Sequence, residues 1–215
     1  MQKENGAKQM TFKVVISQRQ DAILDRNEVR DSLDVNWYPA IRDLLQTDYL
    51  LFPIINNPNV VDDYLTEINP NLIVISGGNS CANRNATENK IIEFSAKYLI
   101  PLFGVCHGMQ FINEYFGGDF HKINNHVKTI HHLVDINSKK LIDFQVNSYH
   151  TIGIKQISLA TILTPLLTDT DGNIEACINS EKRIFCIMWH PERSKEQSKA
   201  QEKWIQYYLN IILGK

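Results

Sequence analysis

Cys106 stands two residues after Gly104 and two before Gly108, in the stretch GVCHGMQ at 104–110. A thiol is a weak nucleophile until something makes it a thiolate, and a sharp strand-to-helix turn is one way to do that. The turn lifts its central side chain out of the sheet and sets it beside the free N–H groups of a helix start. Bulky neighbours two positions away would clash at such a bend, so glycine on both sides is what the geometry requires. The bland alternative is a buried cysteine beside two conformational glycines.

A nucleophile needs a base, and the base needs something to orient it. WHPE at 189–192 offers both, in His190 and Glu192. The apolar run IFCIM precedes them and Pro191 ends it, which puts His190 at the carboxyl end of a strand, where open α/β sheets place ligands. The imidazole would take the thiol proton, return it to a departing nitrogen, and then activate water. The third requirement is a pair of fixed N–H donors for the oxyanion of an attacked amide. The backbone of His107 supplies one. SGG at 76–78 follows another apolar strand, and the N–H of Gly78 is the candidate for the second.

These residues need a scaffold, and the rest of the chain reads as one. FKVVIS at 12–17, LLFPII at 50–55, NLIVISGG at 71–78 and PLFGVC at 101–106 read as strands, some apolar enough to be covered on both faces. Leu33, Trp37, Ile41, Leu44 and Leu45 predict a helix over 30–45. Helices are further predicted over 87–100, over 107–116 ending at Gly117 and Gly118, and over the closing segment around Trp204, Tyr208 and Ile212. After residue 120 short alternating stretches predict antiparallel additions, with two strands around the D-G turn at 171–172 and a strand running into Pro191. The expected fold is α/β: a three-layer sandwich, flavodoxin-like, with a mainly parallel central sheet and extra antiparallel strands.

With 215 residues, 43% of them hydrophobic, the chain can bury one full core, so residues 10–215 are expected to form a single domain behind a flexible lead at 1–9. A net charge of -2 without a concentrated basic patch argues against nucleic-acid binding. No apolar run approaches the roughly 18 to 20 residues a membrane span needs, and no signal peptide is evident, so a cytoplasmic protein is expected. Cys81, Cys106, Cys177 and Cys186 then read as free thiols, with Cys177 and Cys186 as packing residues. His121, His126, His131 and His132 are spaced irregularly for a closed zinc site, and no metal or cofactor is expected.

The glycine-rich loop, the cysteine elbow and the late H-P-E together resemble the class I glutamine amidotransferase-like superfamily, over nearly the whole chain. The resemblance implies attack of Cys106 on a γ-glutamyl amide, a thioester intermediate, His190 as base and acid, and Glu192 as its orienting carboxylate. Gln110 matches the glutamine that helps bind the glutamyl group. Within the superfamily, RNATE at 84–88 resembles an R-D-x-x-E segment, and VNSYH at 146–150 a V-N-S-x-H segment, of stand-alone γ-glutamyl hydrolases. Asn85 departs from that aspartate, and His107 from the leucine or arginine often found there. Some relatives release nucleotide-linked nitrogen compounds in capsule or lipopolysaccharide pathways, so a nucleotide-linked substrate in surface-polysaccharide modification is among the expectations.

Several roles stay open at this level. Arg84 and Glu88 either bind the two charged ends of the glutamyl group or pair with each other across one helical turn. Asn147, Ser148 and His150 either bind the amino-acid end or brace the oxyanion loop. Gln110 is a substrate ligand or an exposed helix residue. The side chain of His107 either contacts the leaving group or points away while its backbone alone acts, and the latter is preferred. The expected partner is a small γ-glutamyl substrate, met by a monomer or homodimer. A glutaminase subunit feeding ammonia to a partner synthase is the alternative, and a catalytically dead binding scaffold is disfavoured by the intact Cys106, His190 and Glu192.

Overall fold

A computed structural model describes residues 11–193 and 198–215; the lead at 1–9 lies outside the described residues. The chain runs β1 (Phe12–Ser17), β2 (Arg19–Ile23), β3 (Glu28–Ser32), α1 (Trp37–Leu45), β4 (Tyr49–Ile54), α2 (Val61–Ile68), β5 (Leu72–Ile75), α3 (Ala82–Tyr98), β6 (Leu102–Val105) and α4 (His107–Tyr115). It continues with β7 (His121–Lys122), β8 (Val127–Asp135), β9 (Leu141–Tyr149), β10 (Ile152–Gly153), β11 (Thr164–Thr168), β12 (Ile174–Asn179), β13 (Ile184–Ile187) and α5 (Lys199–Leu213).

Nine strands form one sheet in the order β4-β1-β5-β6-β13-β12-β11-β8-β9. From β4 to β13 neighbours are parallel; from β13 to β9 they are antiparallel. The inner parallel strands β5, β6 and β13 are apolar because both faces are covered, and the side chains of the parallel strands alternate between two cores. Val14, Val74, Phe103, Val105, Phe185 and Ile187 face the layer of α1 and α5. Val15, Ile73, Ile75, Leu102 and Cys186 face the layer of α2, α3 and α4. Three layers result, as the alternating pattern predicts. Cys177 and Cys186 sit opposite each other in the β12–β13 pairing, both fully buried.

Two predicted helix starts move. The helix expected from residue 30 begins at Trp37, because 28–32 pair instead with 19–23 as the hairpin β2–β3. Val29 in that stretch is exposed, so no apolar stripe extends the helix backwards. The helix expected from 87 begins at Ala82. Its buried residues Arg84, Thr87, Glu88, Ile91, Ile92 and Ser95 keep the 3.6-residue period, but the first three are polar and so leave no hydrophobic signal.

Candidate active site

Cys106 is the hinge between β6 and α4. Its backbone sits at φ 52, ψ -104, a conformation that costs a non-glycine residue strain. The flanking glycines hold it there. A Cβ on Gly104 would come 2.7 Å from Ile112 Cδ1, and one on Gly108 would run into the carbonyl oxygen of Ile75 at the end of β5. The Cys106 N–H donates to the carbonyl of Ile187, the last residue of β13, at 2.9 Å. Strand adjacency therefore brings together two segments far apart in the chain: His190, three residues past Ile187, comes close enough to the Cys106 side chain for the two to interact electrostatically.

The other partner of His190 is Glu192, whose Oε1 lies 2.7 Å from Nδ1. With Nδ1 occupied, Nε2 is the ring nitrogen left for the sulfur. Glu192 is carried by a single 3-10 turn, Pro191–Arg193. Cys106, His190 and Glu192 are all buried. Burial alone would pull the imidazole's pKa down, but hydrogen bonds and charge from Cys106 and Glu192 outweigh it and raise the pKa to about 9. The imidazolium that forms when His190 accepts a proton is thus favoured over that of a free imidazole.

His190 is braced from β9. The Asn147 side chain clamps the His190 backbone in both directions: Nδ2 donates to the His190 carbonyl at 2.8 Å, and Oδ1 accepts from its N–H at 2.9 Å. Two residues along the same face, the Tyr149 ring meets the His190 ring edge-on at 5.8 Å, with Arg193 stacked over Tyr149 at 4.8 Å. The two roles open to Asn147 were the amino-acid end of a substrate and bracing of the oxyanion loop; its amide here engages the His190 backbone.

The glycine loop is shaped from beneath by Arg84, which is fully buried. Its guanidinium donates to the carbonyls of Ser76 (2.6 Å), Gly77 (3.4 Å) and Asn79 (3.1 Å). A trans peptide points its N–H opposite to its C=O. The Gly77 carbonyl turned toward Arg84 therefore turns the Gly78 N–H away from it. Gly77 itself lies against the His190 ring, which a Cβ there would strike. Gly78 adopts φ +131, open to glycine alone, and lies between Arg84 and Arg19. The other proposed donor, the His107 N–H, is the first of α4, among the amides that a helix leaves unpaired.

Glu88 completes the support. Its carboxylate accepts from Ser17 Oγ (2.8 Å) and Arg84 Nε (2.8 Å), and its other oxygen lies 2.7 Å from His107 Nε2. Burial would raise its pKa, yet His107 and Arg84 hold it below its ordinary value. The His107 ring is buried, stacked on Phe111 with Nδ1 3.4 Å from Ser80 Oγ. Of the two roles open for that side chain, the structure places it in the Arg84–Glu88 network behind the loop. Ser17 and Ser76, which bond each other across β1 and β5, belong to the same network and carry no signal in sequence.

The side chains of the remaining candidates make other contacts. Gln110 is half-buried, its Nε2 3.4 Å from the Ile152 carbonyl, which also receives His150 Nδ1 at 2.9 Å. Burial lowers the pKa of His150. Ser148 is buried and donates to the His126 carbonyl at 2.6 Å, tying β9 to the segment before β8. His126 pairs with Asp169 at 3.0 Å and His132 with Gln145 at 2.7 Å. Cys81 donates its thiol hydrogen to Gln20 Oε1 at 3.0 Å.

The family model for glutamine amidotransferase class-I matches residues 31–203. A γ-glutamyl-CDP-amidate hydrolase of Campylobacter jejuni is 32% identical over 138 residues, covering 60% of this chain and 66% of that protein. A glutamine-hydrolysing GMP synthase of Blochmanniella floridana is 28% identical over 148 residues, 62% of this chain and 28% of the synthase. The chain thus spans less than two thirds of these relatives' lengths. A crystal structure of a glutamine amidotransferase from Thermotoga maritima superposes with TM-score 0.62 at 15% identity, over 95% of this chain and 97% of that one, a likeness of fold. Among the described residues, no helix is long and apolar enough to cross a membrane.

Proposed function

The chain belongs to the class-I glutamine amidotransferase family, and from that premise we propose that it hydrolyses a γ-glutamyl amide through a cysteine thioester. The observation that carries this reading is the strained Cys106 in contact with a His190 that Glu192 anchors. His190 takes the Cys106 thiol proton, and the thiolate adds to the γ-carbonyl carbon. The N–H groups of Gly78 and His107 receive the oxyanion. As the C–N bond breaks, His190 passes its proton to the departing nitrogen, leaving the γ-glutamyl group on sulfur. His190 then deprotonates water, which attacks the thioester and releases glutamate and the free thiol.

The leaving group is an amine or a nitrogen-bearing conjugate, and the Campylobacter relative's name favours testing a nucleotide-linked one. The similarity to a GMP synthase motivates a second reading, a glutaminase that feeds ammonia to a synthase. The purified chain alone should be assayed on glutamine, γ-glutamyl-polyamine, γ-glutamyl-γ-aminobutyrate and a nucleotide-linked γ-glutamyl compound. The hydrolase reading expects turnover of at least one conjugate without a partner, and none by Cys106→Ala. Turnover that persists in Cys106→Ala removes the thioester mechanism; silence until a synthase is added favours the second reading.

A further inference from the structure

The hairpin β2–β3 divides two cavities. Alternate residues of a strand face opposite ways: Arg19, Asp21 and Ser32 line a cleft of about 270 Å³ with Gly77 and Glu192, while Gln20, Val29 and Asp31 line a larger cavity of about 900 Å³. The larger one lies beyond the carboxyl ends of β1 and β4, in the size range of small-molecule sites. The catalytic relay described above makes no use of it.

Its lining is chemically narrow. Gln18, Gln20, Asn56, Asn57, Asn59 and Asn83 bring six carboxamides to one cavity. Among the described residues no lysine, arginine or histidine lines it, so it is not built for a phosphate. Among the described residues Asp31 is the one charged side chain in the lining, and it already accepts from the Asn56 N–H, Asn56 Nδ2 and Gln20 Nε2. A cation would have to compete with those donors. Val29 and Ile55 present exposed apolar surface to the same space.

Asn56 holds the floor of the cavity in place. Only 5% of it is exposed. Its Nδ2 donates to the Gln18 carbonyl (3.0 Å) and Asp31 Oδ1 (2.7 Å), which fixes the orientation of the amide. Its Oδ1 is buried and has no hydrogen-bond partner. The amides presented at the cavity's edge are those of Asn59 and Asn83, which are exposed. Apolar walls to pack a ring face, with carboxamides to read its edge, suit an uncharged planar heterocycle bearing both donors and acceptors.

The cavity is also wired to the catalytic loop. Gln20 accepts from Asn79 Nδ2 through its carbonyl (2.8 Å) and from the Cys81 thiol through Oε1 (3.0 Å). Asn79 directly follows Gly78. Resting on the γ-glutamyl hydrolase reading, we infer that this cavity receives an uncharged heterocycle of nucleobase type, carried at the distal end of the leaving group.

The whole chain should be titrated by calorimetry with cytidine, uridine and adenosine, and kcat/KM measured on γ-glutamyl-methylamide, whose leaving group is too small to reach the cavity. The variants Asn59→Leu and Asn83→Leu alter exposed rim residues and avoid the buried Asn56. At least one nucleoside should bind saturably, each variant should weaken it by about 5- to 10-fold, and both should leave methylamide hydrolysis unchanged. The inference is overturned by no saturable binding up to about 10 mM, or by binding that ignores both variants. Variant-sensitive nucleoside binding by a chain that hydrolyses no γ-glutamyl compound would uphold the cavity and sink the hydrolase reading. Hydrolysis without nucleoside binding would do the reverse.

Discussion

Replacing Arg84 by lysine separates two jobs that its position permits. The guanidinium reaches three loop carbonyls and Glu88 at once, a fork that an ammonium cannot reproduce. Lysine keeps the charge beside Glu88, so the buried carboxylate stays compensated and the chain should fold. Losing contacts to two or three carbonyls should cost about 2–4 kcal/mol of stability, read as a lower urea midpoint with unchanged m-value. The catalytic effect follows from the peptide planes. Freed from Arg84, the Gly77 carbonyl rotates and takes the Gly78 N–H with it. A misplacement near 1 Å or a lost oxyanion donor costs on the order of 10²-fold in rate. The expected result is therefore a kcat lower by about 10- to 100-fold with KM changed less than about threefold. Steady-state kinetics on glutamine or γ-glutamyl-methylamide reads both. If KM instead rises tenfold or more (on the order of 1.4 kcal/mol) while kcat holds, Arg84 binds the glutamyl carboxylate and the bracing argument is wrong.

Two further outcomes follow from the relay and the elbow. The His190 pKa of about 9 lies above its ordinary value, so its contribution to stability is whole below that ordinary value, persists in part between, and is lost as pH climbs through about 9. The alkaline limb of kcat/KM should fall at the same place, and Glu192→Gln should shift it to lower pH by removing a charge that favours the imidazolium; a limb that does not move would show that Glu192 does not tune the base. Gly108→Ala drives a methyl into the Ile75 carbonyl, and should destabilise the fold by about 1–3 kcal/mol and slow iodoacetamide labelling of Cys106 relative to Cys81; unchanged stability and labelling would show that the elbow tolerates the side chain.

The elbow and the parallel core are legible in the sequence because steric demand and apolar alternation are local signals. Gly104, Cys106 and Gly108 declare a bend within five residues, and β5, β6 and β13 declare burial by unbroken apolar runs. The support behind the site is harder to read because it is polar. Arg84, Thr87 and Glu88 occupy the buried stripe of α3, where a search for apolar periodicity passes over them. The side chain of His107 likewise leaves two roles open until Glu88 is seen 2.7 Å away. Asn147 is conspicuous in VNSYH, but only the tertiary pairing with the His190 backbone identifies its work. The hairpin β2–β3 is hidden because its strands are exposed and short, with charged residues where a buried strand would be apolar.

That hairpin forms its own two-stranded sheet, outside the nine-stranded one. Its side chains line cavities but supply none of the three relay residues. A substitution at Val29 or Gln20 can therefore change which molecule fits without disturbing the register of β5, β6 and β13. With the leaving group received as inferred, change in such a segment would alter the choice of substrate while leaving the relay in place. A common bond-breaking apparatus can in this way be inherited unchanged while its lineages diverge in what they feed it.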